Sequence, residues 1–211
     1  MITPWLQPLP LIAILRGLTP PEAVAVGEAI AGAGLRMLEV PLNSPQPLQS
    51  IRLLRQHFGE RCLIGAGTVL TPAQVDAVAD AGGQLIVMPH ADTAVIAAAK
   101  RVGLICTPVV ATATEAFAAL AAGADALKIF PAEQVGPAVI RAWRAVLPRE
   151  LTLLPVGGIN PDNMAAYVVA GAGGFGIGSA LYAPGRDPVE VGLRARAFAR
   201  TWTSLQHGAS A

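Results

Sequence analysis

Short aliphatic runs, apolar at nearly every position, alternate along this chain with longer Ala-rich stretches whose apolar residues recur at helical spacing. Eight runs read as strands: 11–15, 37–41, 62–66, 85–88, 104–107, 126–130, 151–156 and 174–178. Strands apolar on both faces belong in a parallel sheet covered by helices, because a sheet with one wet face would alternate. The helical stretches open on capping signals: Thr19-Pro20, Ser44-Pro45, Thr71-Pro72, Asp92, Thr112 and Asn160-Pro161. Each offers a side-chain oxygen to the free N–H groups of a first turn, most with Pro at or near its first position. Eight β-then-α units close into a (β/α)8 TIM barrel, smaller than the usual ~250 residues. The alternative is a doubly wound open sheet. No linker or charge block divides the chain, so residues 1–205 are expected to form one domain, with a loose tail over 206–211.

Composition narrows the class. A chain of 211 residues buries a substantial core without disulfides or metals. Its net charge is +1 and no Lys/Arg cluster occurs, which argues against nucleic acid or an anionic membrane as a partner. Hydrophobic residues make up 53%, yet no stretch of about 18 runs without Pro, Gly or a charge, so the excess belongs to a core. The N-terminus has no basic, apolar and small-residue sequence of a signal peptide, and a cytoplasmic location is expected. Cys62 and Cys106 sit in strand runs and read as buried free thiols; neither has metal-ligand spacing with His57, His90 or His207. No metal or cofactor is expected.

Few charged residues fall on strands. Lys128, one of only two lysines, lies in the apolar run 126–130; Glu39 lies within 37–41; Arg16 ends the first run. Strand alternation puts Ala126, Lys128 and Phe130 on one face and Leu127 and Ile129 on the other, so Lys128 points into the barrel if the aliphatic pair meets the helices. Met37, Glu39 and Pro41 share a face in the same way. Burial disfavours the ammonium and lowers a lysine's pKa by up to about 3 to 5 units, which would leave a neutral, nucleophilic amine. Such an amine adds to a ketone, and the resulting iminium withdraws electrons from the neighbouring carbon. A nearby carboxylate then moves protons, and an Arg fork holds an anionic group. The competing reading is structural ion pairing among these three. Lys100 reads as an exposed helix-end residue.

Two glycine clusters end the last two strands, Val156-Gly157-Gly158-Ile159-Asn160 and Gly176-Ile177-Gly178-Ser179. Bare backbone N–H groups beside a helix start make an anion site, and phosphate binding after strands seven and eight is common in barrels. Tight turns are the other explanation. Thr68, in Gly65-Ala66-Gly67-Thr68, either bonds a small carboxylate or caps the next helix.

With these residues the chain resembles the class I aldolases acting on 2-keto-3-deoxy-6-phospho sugar acids. The resemblance runs through Ile12-Ala13-Ile14-Leu15-Arg16-Gly17, Glu39-Val40-Pro41-Leu42-Asn43-Ser44-Pro45-Gln46, Ile64-Gly65-Ala66-Gly67-Thr68-Val69, Ala111-Thr112-Ala113-Thr114-Glu115-Ala116 and Leu127-Lys128-Ile129-Phe130-Pro131. It implies a (β/α)8 barrel, usually a homotrimer, cleaving its substrate to pyruvate and glyceraldehyde 3-phosphate through a lysine Schiff base without a metal. It also implies Lys128 as the Schiff-base residue and Glu39 as acid/base, with Arg16, Thr68, Gly157, Gly158, Gly178 and Ser179 contacting the ligand. Asn43, where the phosphogluconate-type enzymes often carry Arg, resembles the branch named for 2-dehydro-3-deoxy-6-phosphogalactonate and is expected to line the C4 to C5 region. Rival expectations are the gluconate epimer as substrate, a non-catalytic sugar-phosphate sensor, and a phosphosugar isomerase or synthase barrel.

Overall fold

Each aliphatic run forms a strand in the computed structural model, which describes residues 2–208. The strands are β1 Leu11–Ile14, β2 Met37–Pro41, β3 Leu63–Gly67, β4 Leu85–Val87, β5 Ile105–Thr107, β6 Val109–Val110, β7 Leu127–Ile129, β8 Leu153–Pro155 and β9 Phe175–Ile177. Between and after them lie α1 Pro20–Ala31, α2 Pro47–Phe58, α3 Pro72–Asp80, α4 Thr93–Arg101, α5 Ala113–Ala121, α6 Ala132–Trp143, α7 Met164–Val169 and α8 Pro188–Gly208.

Nine strands replace the expected eight because Pro108 splits the fifth stave. Proline brings no N–H to a ladder. Before it, β5 pairs with β4; after it, β6 pairs with β7, while the Pro108 carbonyl accepts from Lys128 N–H at 2.9 Å. The sheet runs β5-β4-β3-β2-β1-β9 and the second β6-β7-β8, all parallel. A bridge between Val156 and Gly176 and a bond from Gly173 N–H to the Leu153 carbonyl at 3.0 Å join β8 to β9. The staves therefore close into a (β/α)8 barrel, and the open-sheet alternative is excluded.

Strand parity sorts the core into two bodies. Inside the barrel Ile12, Met37, Leu63, Leu85, Ile105, Ala126 and Leu154 pack together, and Ile2, Trp5 and Leu6 of the N-terminal segment seal the lower end. Outside, Leu38, Ile64, Ile86, Leu127 and Ile129 meet the helices. With the bottom filled by apolar side chains, the polar inward residues Glu39, Thr107 and Lys128 occupy the level above, facing the mouth.

Capping follows the sequence at four helices. Thr19 with Glu22 and Thr112 with Glu115 form capping boxes, Thr71 accepts from Gln74 N–H, and Asp92 accepts from Ala94 and Val95 N–H. Two expected starts are displaced. Helix α2 begins at Pro47 behind Gln46, whose φ is 45°, while the buried Ser44 hydroxyl accepts from Gly17 N–H at 2.9 Å and ties two mouth loops together. Asn160 makes a turn by accepting from Asp162 and Asn163 N–H, so α7 starts only at Met164. At the C-terminus α8, Pro188–Gly208, takes in the first residues of the expected tail, and residues 209–211 lie outside the described residues. No helix among the described residues is long and apolar enough to cross a membrane.

Candidate active site

A cavity of about 700 Å³ opens at the C-terminal ends of the strands, the end at which barrels present their chemistry. Arg16, Thr68, Lys128, Gly157, Gly158, Gly178 and Ser179 all line it, with Phe130 and Tyr182. Glu39 lies deeper and shares a small floor cavity with Lys128. Of the residues singled out in the sequence, only Asn43 is absent from both. Its side-chain oxygen accepts from Arg16 Nη1 at 2.9 Å, one hydrogen bond away from a residue of that wall.

Lys128 extends from β7 at the inward parity expected, its Nζ 5.6 Å from the centre of the Phe130 ring. Among the described residues it forms no salt bridge. Burial lowers its pKa; the Glu39 charge partly opposes that and Arg16 reinforces it. The direction favours a neutral amine. Lys100 is the contrast and corrects its reading as an exposed residue. It is about one-third exposed, donates to Asp125 Oδ2 at 2.5 Å and to the Leu104 carbonyl at 3.1 Å, and so is a structural cation.

Glu39 is 1% exposed, and burial pushes its carboxyl up to about 7, with Lys128 and then Arg16 pulling the other way. Room for this carboxylate comes from β3. Pro41 pairs with Gly67 in register, and any Cβ at Gly67 would overlap the Glu39 carboxylate. Next to it Thr68 adopts φ 56°, a left-handed conformation that a β-branched residue takes at a cost of about 1–3 kcal/mol. Thr71, not Thr68, caps α3, so the capping explanation for Thr68 does not apply.

The wall above Lys128 is backbone. Among the described residues the N–H groups of Gly158, Ser179 and Ala180 have no acceptor, and all three residues line the same cavity, while Gly157 N–H is taken by the bridge between Val156 and Gly176. Gly157 and Gly158 have φ of 102° and 62°, and a Cβ on either would meet the Glu133 side chain. Gly178 differs: a Cβ there would meet nothing within 4 Å and would project into open space. Three unpaired donors beside a glycine-lined opening are what an anion cradle needs.

Amine, buried carboxylate, guanidinium and anion cradle in one barrel mouth match a known group of lyases. The family profile described as "Aldolase: KDPG and KHG aldolase" matches residues 2–187. The chain belongs to that family. The 2-dehydro-3-deoxy-6-phosphogalactonate aldolase of Escherichia coli (strain K12) is 50% identical over 198 residues, 94% of this chain and 97% of that one. A probable 2-dehydro-3-deoxy-6-phosphogalactonate aldolase of Rhizobium meliloti (strain 1021) is 48% identical over 94% of each. A solved structure called native KDPGal superposes with a TM-score of 0.94 at 48% identity, covering 95% of this chain and 98% of that one.

Several residues around these two cavities carry no signal that the sequence made conspicuous. Thr107 and Gly67 sit on inward strand positions that parity reveals once it is applied to uncharged residues as well. Tyr182 carries no local signal. It reaches the cavity because its hydroxyl donates to Glu22 at 3.1 Å, joining the segment after β9 to the cap of α1.

Proposed function

We propose that this chain is a class I aldolase that cleaves 2-dehydro-3-deoxy-6-phosphogalactonate to pyruvate and glyceraldehyde 3-phosphate. The observation that carries the reading is an unpaired lysine with a lowered pKa at the floor of a cavity walled by free backbone donors. Lys128 Nζ adds to the C2 ketone, and loss of water gives an iminium. Glu39 takes the proton of the C4 hydroxyl, the C4 oxygen becomes the aldehyde, and the C3–C4 bond electrons pass into the iminium to leave an enamine. The aldehyde departs with its phosphate. Protonation at C3 and hydrolysis of the imine return pyruvate and free Lys128. Glu39, poised at about 7, suits both directions of proton transfer at neutral pH.

Thr68 and Arg16 serve the carboxylate end of the substrate in this reading, and Gly157, Gly158, Gly178 and Ser179 its phosphate. The sugar-phosphate sensor and the isomerase or synthase barrel lose support because neither needs an unpaired amine beside a buried carboxylate. The homotrimer implied by the resemblance belongs to the same proposal. Half-exposed Phe117 on α5 and exposed Val146 after α6 are apolar surface of the kind a subunit contact covers. A cytoplasmic location is likewise part of the proposal.

Epimer preference is the finer part. Asn43 draws Arg16 to one side of the mouth with a neutral amide, so the position fixes where a cation stands rather than adding a second one. Side-by-side kinetics on the two phosphorylated keto-deoxy epimers are the test. The galactonate epimer should be cleaved at least as well as the gluconate epimer, with pyruvate released from both. A clear gluconate preference overturns the substrate assignment, and no pyruvate from either overturns the aldolase.

A further inference from the structure

Thr107 is a buried polar side chain at the barrel floor that the reaction scheme leaves unused. It ends β5 at the same inward parity as Ile105, is 0% exposed, and its Oγ1 has no hydrogen-bond partner. Glu39 Oε2, across the floor on β2, is likewise buried and unpartnered. Both residues line one small cavity with Lys128, and apart from Gly176 the rest of its wall is aliphatic. Its volume is about 10 Å³, close to the smallest space that holds a single water. Two orphaned oxygens in so dry a setting are costly unless something bridges them.

We propose that Thr107 is a positioning residue, whose hydroxyl and the Glu39 carboxylate together hold one water beside the Lys128 amine and so fix the orientation of the carboxylate. The water accepts from Thr107 Oγ1–H, donates to Glu39 Oε2, and turns its second hydrogen toward the Lys128 lone pair. Three partners fall within the two to four that a buried water needs. This inference rests on Glu39 as the proton carrier. The charged groups facing Glu39 are Lys128 from β7 and Arg16 after β1, while β3 presents the uncharged Gly65 and Gly67. The water supplies the one neutral donor, and a donor to a carboxylate favours its charged form.

Turnover of Thr107→Val and Thr107→Ser, followed from about pH 5 to 9, tests this directly. Valine keeps the shape and removes the hydroxyl. Its acid limb should move up by about one pH unit, with roughly tenfold lower kcat below the limb and little change in KM. Serine, which keeps the hydroxyl, should restore the wild-type limb. An unmoved limb in the valine variant, or an equal shift in both, overturns the proposal. Should the valine variant not fold, a crystal structure of the unaltered protein decides. Density for a water within about 3.2 Å of Thr107 Oγ1 and Glu39 Oε2 supports the proposal, and an unfilled gap or a direct bond overturns it. Glu39→Gln separates the two layers. If it retains turnover, the proton-carrier reading falls; if it is inactive while Thr107→Val matches wild type, only the water fails.

Discussion

A carboxylate and an amine that share a floor without touching each have their charged form penalised by burial, and that is what makes Glu39 and Lys128 useful. The same penalty acts on folding. Glu39 titrates at about 7 in the fold against 4.5 for the ordinary carboxyl, so between those values the folded chain keeps a proton that the unfolded chain has lost. Its contribution to stability is complete below about pH 4.5 and is lost as the pH rises to about 7. Lys128 shifts in the opposite sense and is common to wild type and variant. Glu39→Gln should therefore gain in thermal midpoint relative to wild type as the pH rises from about 5 to 7, with the gap levelling off above that. A gap that stays constant with pH would mean that Glu39 is not desolvated. Residue chemistry of this kind was legible in the sequence, because a charge on a strand of aliphatic residues is conspicuous. Thr107 was not, since a threonine in a strand looks like ordinary β-propensity until its neighbours are known. Asn43 was found, but its partner was not: only the folded mouth puts Arg16 and Asn43, 27 residues apart, at 2.9 Å.

Among the elements, the alternation of strands and helices could be read because parallel strands are apolar throughout and helix starts carry side-chain caps. The boundaries that moved did so for local reasons. Pro108 interrupts its stave, Ser44 spends its hydroxyl on Gly17 N–H rather than on a helix, and Asn160 closes a turn before α7. The glycines at the ends of β8 and β9 are the place where turn and cradle were indistinguishable in sequence, and the structure divides them. Gly157 and Gly158 have positive φ, and a Cβ on either would meet Glu133, so substitutions there disturb the fold as well as any ligand. Gly178 has ordinary φ and open space in front of it. Gly178→Ala should accordingly fold normally and weaken the phosphorylated substrate by about tenfold or more in KM, while a dephosphorylated analogue changes little, because its methyl blocks close approach to the free amides. Equal losses on both substrates would reduce the cradle to a turn.

Across the whole molecule, the N-terminal segment and the apolar inner layer close the barrel from below, so that the Lys128 amine is reached only from the mouth. Apolar side chains fill the barrel below it, Lys100 is committed to Asp125 on the outside, and Lys128 alone of the two lysines faces the cavity without a salt bridge. The central claim is thus that Lys128 forms the imine. Incubating the protein with pyruvate, reducing with borohydride and mapping the mass gain tests it most directly. One three-carbon unit per chain, located on Lys128 and lost in Lys128→Arg, is the predicted result; a unit on Lys100, or no adduct, would contradict the account.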